Sequence, residues 1–222
     1  MRELADGVFE IGIGFVHLHV VVTDDGLVLV DTGLPGRMSK VEQALQEARR
    51  AVGDVRTILL THRHPDHIGS AAELRRRSGA RVVAHEADVP VITGARPHPV
   101  RGFMKVTAAF TRAPEPVPVD ETLTGDGPLA VPGFTAVHTP GHTPGHVSYL
   151  LDRGSGVLFA GDAAAGVRGR VRHTPGLFND DRAAAKASVA RLARLDFDVA
   201  VFGHGRAVCG HAVDRFRELL AP

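Results

Sequence analysis

Two pairs of segments recur in the same order along this 222-residue chain, and no other feature narrows its fold so far. GLVLVDTG (residues 26–33) is echoed by GVLFAGDA (156–163), and ILLTH (58–62) by VAVFGH (199–204). In each half an apolar strand ends at an aspartate, a helix follows, and a second apolar strand ends at a histidine. Self-similarity of this kind means one supersecondary unit used twice. It predicts an α/β fold of two similar β/α halves facing each other, an αββα sandwich with helices outside and both sets of strand ends at one edge. A single domain over residues 1–222 is expected. The composition, 44% hydrophobic and 23% charged, is ordinary for a globular chain. A chain of this length buries roughly 70% of its unfolded surface and needs no disulfides to hold a core.

Local patterns fill in the two halves. Residues 8–22 are rich in β-branched side chains, and Asp24-Asp25-Gly26 is a turn into the apolar run Leu27 to Val30, so the chain opens as a β meander. Val41, Ala44, Leu45, Ala48 and Val52 keep a helical period over residues 38–52. A strand (57–60), a helix (68–77) and a strand (81–84) come next. Pro97, Pro99, Pro114, Pro116 and Pro118 predict an irregular excursion over 93–119, with one short helix near Phe103 to Phe110. Short strands are expected at 121–124, 129–131, 134–137, 147–151 and 157–160. A helix over 182–195, a strand over 199–202 and a helix over 212–220 close the chain. The intervening residues 163–180 read as a surface loop.

Composition mainly excludes. With one cysteine, Cys209, there is no internal disulfide and no cysteine-based zinc site, and that cysteine is expected to pack. The first ten residues carry charges at Arg2, Glu3 and Asp6 and no apolar core, so no signal peptide is visible and a cytoplasmic location is expected. No apolar run approaches the ~18 residues a membrane span needs. A net charge of +1 gives no nucleic-acid footprint, and Arg75-Arg76-Arg77 reads as a solvated helix face. The expected partner is a small-molecule substrate. One number is odd: 13 histidines against one tyrosine and no tryptophan.

The histidines are not scattered. His62, His64 and His67 with Asp66 fall within six residues directly after a buried strand, and Pro65 argues for a loop whose side chains fan around a point. Imidazole nitrogens and a carboxylate at that spacing are the donors zinc accepts. His142 and His146 lie in TPGHTPGH, a turn made rigid by glycine and proline. Asp162 ends another apolar strand, and His204 stands between two glycines that let backbone approach a ligand. His17 and His19 share one face of a strand and read as ordinary sheet positions. His85, His98, His138 and His211 read as surface or helix-end residues, and His173 as part of the 163–180 loop.

THRHPDHIG, PGHTPGH, GD and GHG, together with the DTG at Asp31 to Gly33, appear in the order found in the metallo-β-lactamase fold superfamily. The chain resembles that superfamily nearly end to end, and within it the glyoxalase II-like and lactonase-like hydrolases most. The resemblance implies that His62, His64 and His142 hold a first metal, that Asp66, His67 and His204 hold a second, and that Asp162 bridges them. Asp31 and His146 match family positions outside the ligand set, where they would orient ligands. Two zinc ions per chain are implied, with iron or manganese as alternatives.

Such a centre implies a hydrolase that uses a metal-bound hydroxide to open a thioester, ester or lactone, with Asp66 moving the proton to the leaving group. Glutathione recognition is not carried over, since familiar glyoxalase II enzymes add a helical C-terminal domain and this chain runs about 18 residues past His204. Quorum-quenching lactonases often place a tyrosine shortly after the bridging aspartate, where this chain has Ala163-Ala164-Ala165. A mononuclear iron persulfide dioxygenase would use His62, His142 and Asp162, and a β-lactamase would use the whole set. A complete ligand set argues against a non-catalytic metal-binding module.

Overall fold

The computed structural model describes residues 1–99 and 113–221. Two sheets pack face to face with helices on their outer faces, the αββα sandwich. Strands β1 (Arg2–Ala5), β2 (Val8–Ile13), β3 (Val16–Thr23), β4 (Gly26–Val30), β5 (Val55–Leu59), β6 (Arg81–His85) and β7 (Glu121–Leu123) form a seven-stranded sheet in chain order. The second sheet has the order β15-β14-β11-β10-β9-β8, from β8 (Gly127–Pro128), β9 (Phe134–His138), β10 (Val147–Leu151), β11 (Val157–Phe159), β14 (Val199–Val201) and β15 (Val208–Cys209).

The sequence repeat is a structural one. β4 and β5 are parallel and joined through α1 (Met38–Glu47), while β11 and β14 are parallel and joined through α5 (Arg182–Leu192). Parallel strands of this kind are buried on both faces, which is why they read as unbroken apolar runs. Ile58 of β5 packs outward with Leu29 and Leu45, under α1 and α3 (Ala71–Ser78). Its neighbour Leu59 packs inward with Val28, Val83, Tyr149 and Phe159, between the sheets. Leu158 and Ala200 lie under α5 and α6 (Ala212–Leu220) with Val189, Leu192 and Phe216. The single tyrosine, Tyr149, is wholly buried and donates from its hydroxyl to the Leu60 carbonyl at 2.8 Å, tying one sheet to the other.

Several expectations change. Pro65 does not keep the histidine segment out of helix: it occupies the first position of a one-turn helix, α2 (Pro65–Ile68), where its missing N–H costs nothing. The helix foreseen over 68–77 is therefore two, α2 and α3, and the first helix ends at Glu47 and not at Val52, which starts a 3-10 turn. Residues 129–131 lead into a turn and are not a strand, since the Leu129 N–H donates to the Phe134 carbonyl, the Phe134 N–H donates to the Val131 carbonyl, and β9 pairs with β8 instead. Residues 163–180 are ordered: β12 (Ala164–Val167) and β13 (Arg170–His173) form a hairpin. α4 (Val89–Ile92) opens the proline-rich excursion, whose expected short helix at 103–110 lies outside the described residues. Cys209 is exposed, because its side of β15 faces away from the core. His85 is buried at the end of β6, its ring stacked 4.0 Å from that of His138, so neither is a plain surface residue.

Candidate metal centre

Every strand that carries a motif ends at the same edge of the sandwich. β4 delivers Asp31, β5 delivers His62, and α2 presents Asp66 and His67. The turn between β9 and β10 presents His142, β11 runs into Asp162, and β14 runs into His204. The seven sequence-predicted ligand residues converge there as three overlapping donor groups: His62, His64 and His142; His62, His67 and Asp162; Asp66, His67 and His204. Within each group the donor atoms lie within 4.8 Å of one another.

In the first group His64 Nδ1 lies 3.0 Å from His62 Nε2 and 2.9 Å from His142 Nε2. The second half of the cluster is held by carboxylates. Asp162 Oδ2 is 3.3 Å from both His142 Nε2 and His204 Nε2, while Oδ1 is 3.5 Å from His67 Nε2. Asp162 therefore touches both groups. Asp66 Oδ2 lies 3.2 Å from His204 Nε2.

The outer hydrogen bonds decide which ring nitrogen faces inward. Thr61 Oγ1 donates to Asp31 Oδ2 at 2.7 Å and so can only accept from His62 Nδ1 at 3.0 Å, which leaves the His62 Nε2 lone pair for the cluster. His67 Nδ1 donates to the same Asp31 oxygen at 2.7 Å. His142 Nδ1 donates to Asn179 Oδ1 at 3.2 Å, and His204 Nδ1 to the Phe15 carbonyl at 3.0 Å. Four rings thus turn Nε2 to the centre. His146 has no nitrogen to spare: Nε2 accepts from the Asp162 N–H at 3.0 Å and Nδ1 donates to Thr139 Oγ1 at 2.8 Å. Its place is behind Asp162, fixing that residue's backbone.

The electrostatics divide in the same way. Burial, reinforced by neighbouring rings, pushes His62 far below the usual imidazole range and His64 to about 3, so both are neutral donors. Burial alone would lower His204 too, but hydrogen bonds to Asp162 and Asp66 raise it to about 10. His67 is likewise raised, against burial, by Asp162, Asp31 and Asp66. Burial would lift Asp66, yet His67 and the His204 bond hold it at about 2. Carboxylates at this spot draw positive charge to it. His67 Nε2 and Asp162 Oδ1 are buried with no hydrogen-bond partner. Orphaned atoms of this kind, beside neutral inward-facing imidazoles, are what a divalent cation satisfies.

Sequence reasoning missed the frame around these residues. Asp88, fully buried at the start of α4, accepts from Arg63 at its guanidinium (2.6 Å) and its N–H (3.1 Å), from Thr143 Oγ1 (2.6 Å) and from the Gly145 N–H (3.3 Å). Arg63 also reaches Asp180 at 2.6 Å. This chain of bonds fastens the segment bearing His62 and His64 to the turn bearing His142. Nothing in the local sequence around Asp88 signals it, since its partners lie 25 to 57 residues away.

The chain is 29% identical over 234 residues to the probable metallo-hydrolase YflN of Bacillus subtilis, covering 94% of this chain and 87% of that one. It is 33% identical over 182 residues to a hydroxyacylglutathione hydrolase of Halorhodospira halophila, covering 80% of this chain and 54% of the relative. Among solved structures, BJP-1, a subclass B3 metallo-β-lactamase of Bradyrhizobium japonicum, superposes with a TM-score of 0.72 at 26% identity, over 91% of this chain and 76% of the other. The model of the metallo-beta-lactamase superfamily matches residues 11–204, and the chain belongs to that superfamily as a metal-dependent hydrolase.

Proposed function

We propose that this hydrolase carries two divalent cations, zinc in the first instance, and opens a small-molecule thioester, ester or lactone. The observation that carries the reading is the convergence of seven donors from both halves of the fold into overlapping groups that share His62 and His67. His62, His64 and His142 would hold one ion and Asp66, His67 and His204 the other, with Asp162 between them. Such a pair supplies Lewis acidity toward a carbonyl and makes water nucleophilic near neutral pH. The protein's own part is positioning and proton transfer. Hydrolysis breaks the acyl C–O or C–S bond; water gives its oxygen to the acyl carbon and a proton to the leaving group. Asp66 suits that proton transfer, because its side chain is 24% exposed, against 6% for Asp162 and 3% for Asp31. Of the three, its carboxylate is the most open to solvent.

The thioester option draws on the hydroxyacylglutathione hydrolase relative. Metal analysis of the purified protein should find close to two ions per chain, with His204→Ala losing about one. Turnover on a panel containing a glutathione thioester, a homoserine lactone, simple aryl esters and a cephalosporin should disappear in Asp66→Ala. One iron per chain with oxygen consumed on a persulfide would replace the reading with a dioxygenase.

A further inference from the structure

Seven side-chain atoms among the described residues are buried with no hydrogen-bond partner, and two of them, on His67 and Asp162, belong to the centre above. Three of the others lie together elsewhere: Glu10 Oε2, His17 Nδ1 and His19 Nε2. Native folds leave few such atoms, and a group of them points to a ligand. Strand geometry explains why they meet. In the antiparallel β2–β3 pair Glu10 stands opposite His19 and Gly12 opposite His17. Opposed residues are neighbours, and side chains two apart on a strand share a face, so all three donors project from the face on which Val8 and Val21 meet the second sheet. Glu10 is 9% and His19 3% exposed, and the His19 ring stands edge-on to Phe159 of β11 at 5.7 Å.

We infer that Glu10, His17 and His19 form a separate cation site that takes one divalent transition-metal ion of the zinc type. Two imidazoles and a carboxylate are a donor set such ions accept. The site shares no residue with the seven donors described above. Glu10 Oε2 lies 4.0 Å from His19 Nε2, beyond a hydrogen bond, while the other Glu10 oxygen accepts from Arg2 at 2.9 Å. Zinc bonds of about 2.0–2.2 Å would draw these two donors closer, a shift that the soft terminal torsion of a glutamate supplies. Gly12, with no side chain, leaves the His17 ring beside it room to turn. An open cavity of about 660 Å³, lined in part by Arg2, Glu10, Gly12, His17 and Arg206, gives the ion its way in and solvent to complete its coordination. Because Arg2 competes for the same carboxylate, this ion is held more weakly than the pair proposed above and is taken up only from added metal. Its effect would reach the other centre through the backbone: Val16 bridges His204, and the His17 N–H donates to the Gly203 carbonyl at 2.8 Å.

The test is equilibrium dialysis of the purified full chain against rising zinc, with metal content read by elemental analysis. Wild type should take up one ion per chain beyond its as-purified content. His19→Phe should lose that uptake, and Glu10→Gln should weaken it about tenfold or more, while both keep the as-purified content. Glu10→Gln preserves volume and leaves Arg2 an acceptor, so it carries the test if circular dichroism shows that His19→Phe does not fold. His204→Ala, which alters the other centre, should still take up the further ion. The two readings therefore fail separately. Uptake lost in His19→Phe, with as-purified content unchanged in His204→Ala, supports this site and removes the dinuclear one. No uptake by wild type, or uptake undiminished in both His19→Phe and Glu10→Gln, overturns the site proposed here.

Discussion

Asp31 is the residue on which most of the ligand geometry turns. It sits in the left-handed region (φ +63°), unusual for anything but glycine, asparagine or aspartate, at the end of β4. From there it accepts from the Thr61 N–H at 2.8 Å, the Thr61 hydroxyl and His67. Asn keeps the shape and tolerates the backbone but cannot accept three times over. Asp31→Asn should therefore fold, yet bind metal 10- to 100-fold more weakly, read by competition with a chromophoric chelator. A second residue-scale prediction concerns His19. It is buried on β3, and burial, with His17, His67 and Arg2 nearby, lowers it to about 3. The unfolded chain takes up this proton below about pH 6.5 and the fold refuses it, so stability is complete above that pH and is lost as pH falls toward 3. The loss attributable to His19 is about 2 kcal/mol at pH 5. Urea titrations at pH 7 and pH 5 should show a loss of stability that is smaller by about that amount in His19→Phe than in wild type.

At the scale of elements, close approach between segments sets what is permitted. Gly161, between β11 and Asp162, is left-handed (φ +52°), and a Cβ there would stand 2.7 Å from His146 Nε2 and 2.9 Å from Thr61 Cβ. Gly161→Ala should push His146 off the Asp162 N–H and lower both stability and metal content. The Asp88 bonds make a different prediction. Asp88→Asn keeps the volume but leaves the Arg63 guanidinium without one of its two carboxylate partners in a buried setting, a change of roughly 3 kcal/mol or more. Because Asp88 joins the His64 and His142 segments and touches neither Asp66 nor His204, the first group of donors should weaken more than the second. Cobalt substitution followed by absorption spectroscopy would register which group is lost. These elements also mark the limit of sequence reading. The amphipathic and alternating segments were legible from their periods, and the DTG, HRHPDH and GHG ends from their residues. The one-turn helix at Pro65 and the hairpin at 164–173 were not, because their register comes from contacts with distant segments.

For the whole molecule, the proposed metal centre would act as a cross-link. His62, His64, Asp66 and His67 come from the first half of the repeat and His142, Asp162 and His204 from the second, so on the proposed reading bound ions would add to the apolar packing and the Tyr149 hydrogen bond that join the two sheets. A ligand that binds only the folded state stabilises it by about 4 kcal/mol at a thousand times its dissociation constant. For a domain of this size each kcal/mol moves Tm by about 2–4 °C. Stripping the metals with a chelator should lower Tm by on the order of 10 °C, and added zinc should restore it. No described helix is long and apolar enough to cross a membrane, and the basic triplet on α3 is spent on Asp120, Glu115 and Glu42.

What the sequence by itself determined is the repeat, the burial of its strands, and which histidines and aspartates end them. Those are local properties: apolar runs, helical periods, and polar residues placed where a run stops. Only the tertiary structure decided which nitrogen of each imidazole faces inward, that His146 serves Asp162 and not a metal, and that Asp88 fastens the two donor segments together. The physical reason is that hydrogen bonds and electrostatic fields depend on distance in space. Thr61, Asn179, the Phe15 carbonyl and Asp88 have no signature in the chain until folding brings them within 3 Å or so of their partners.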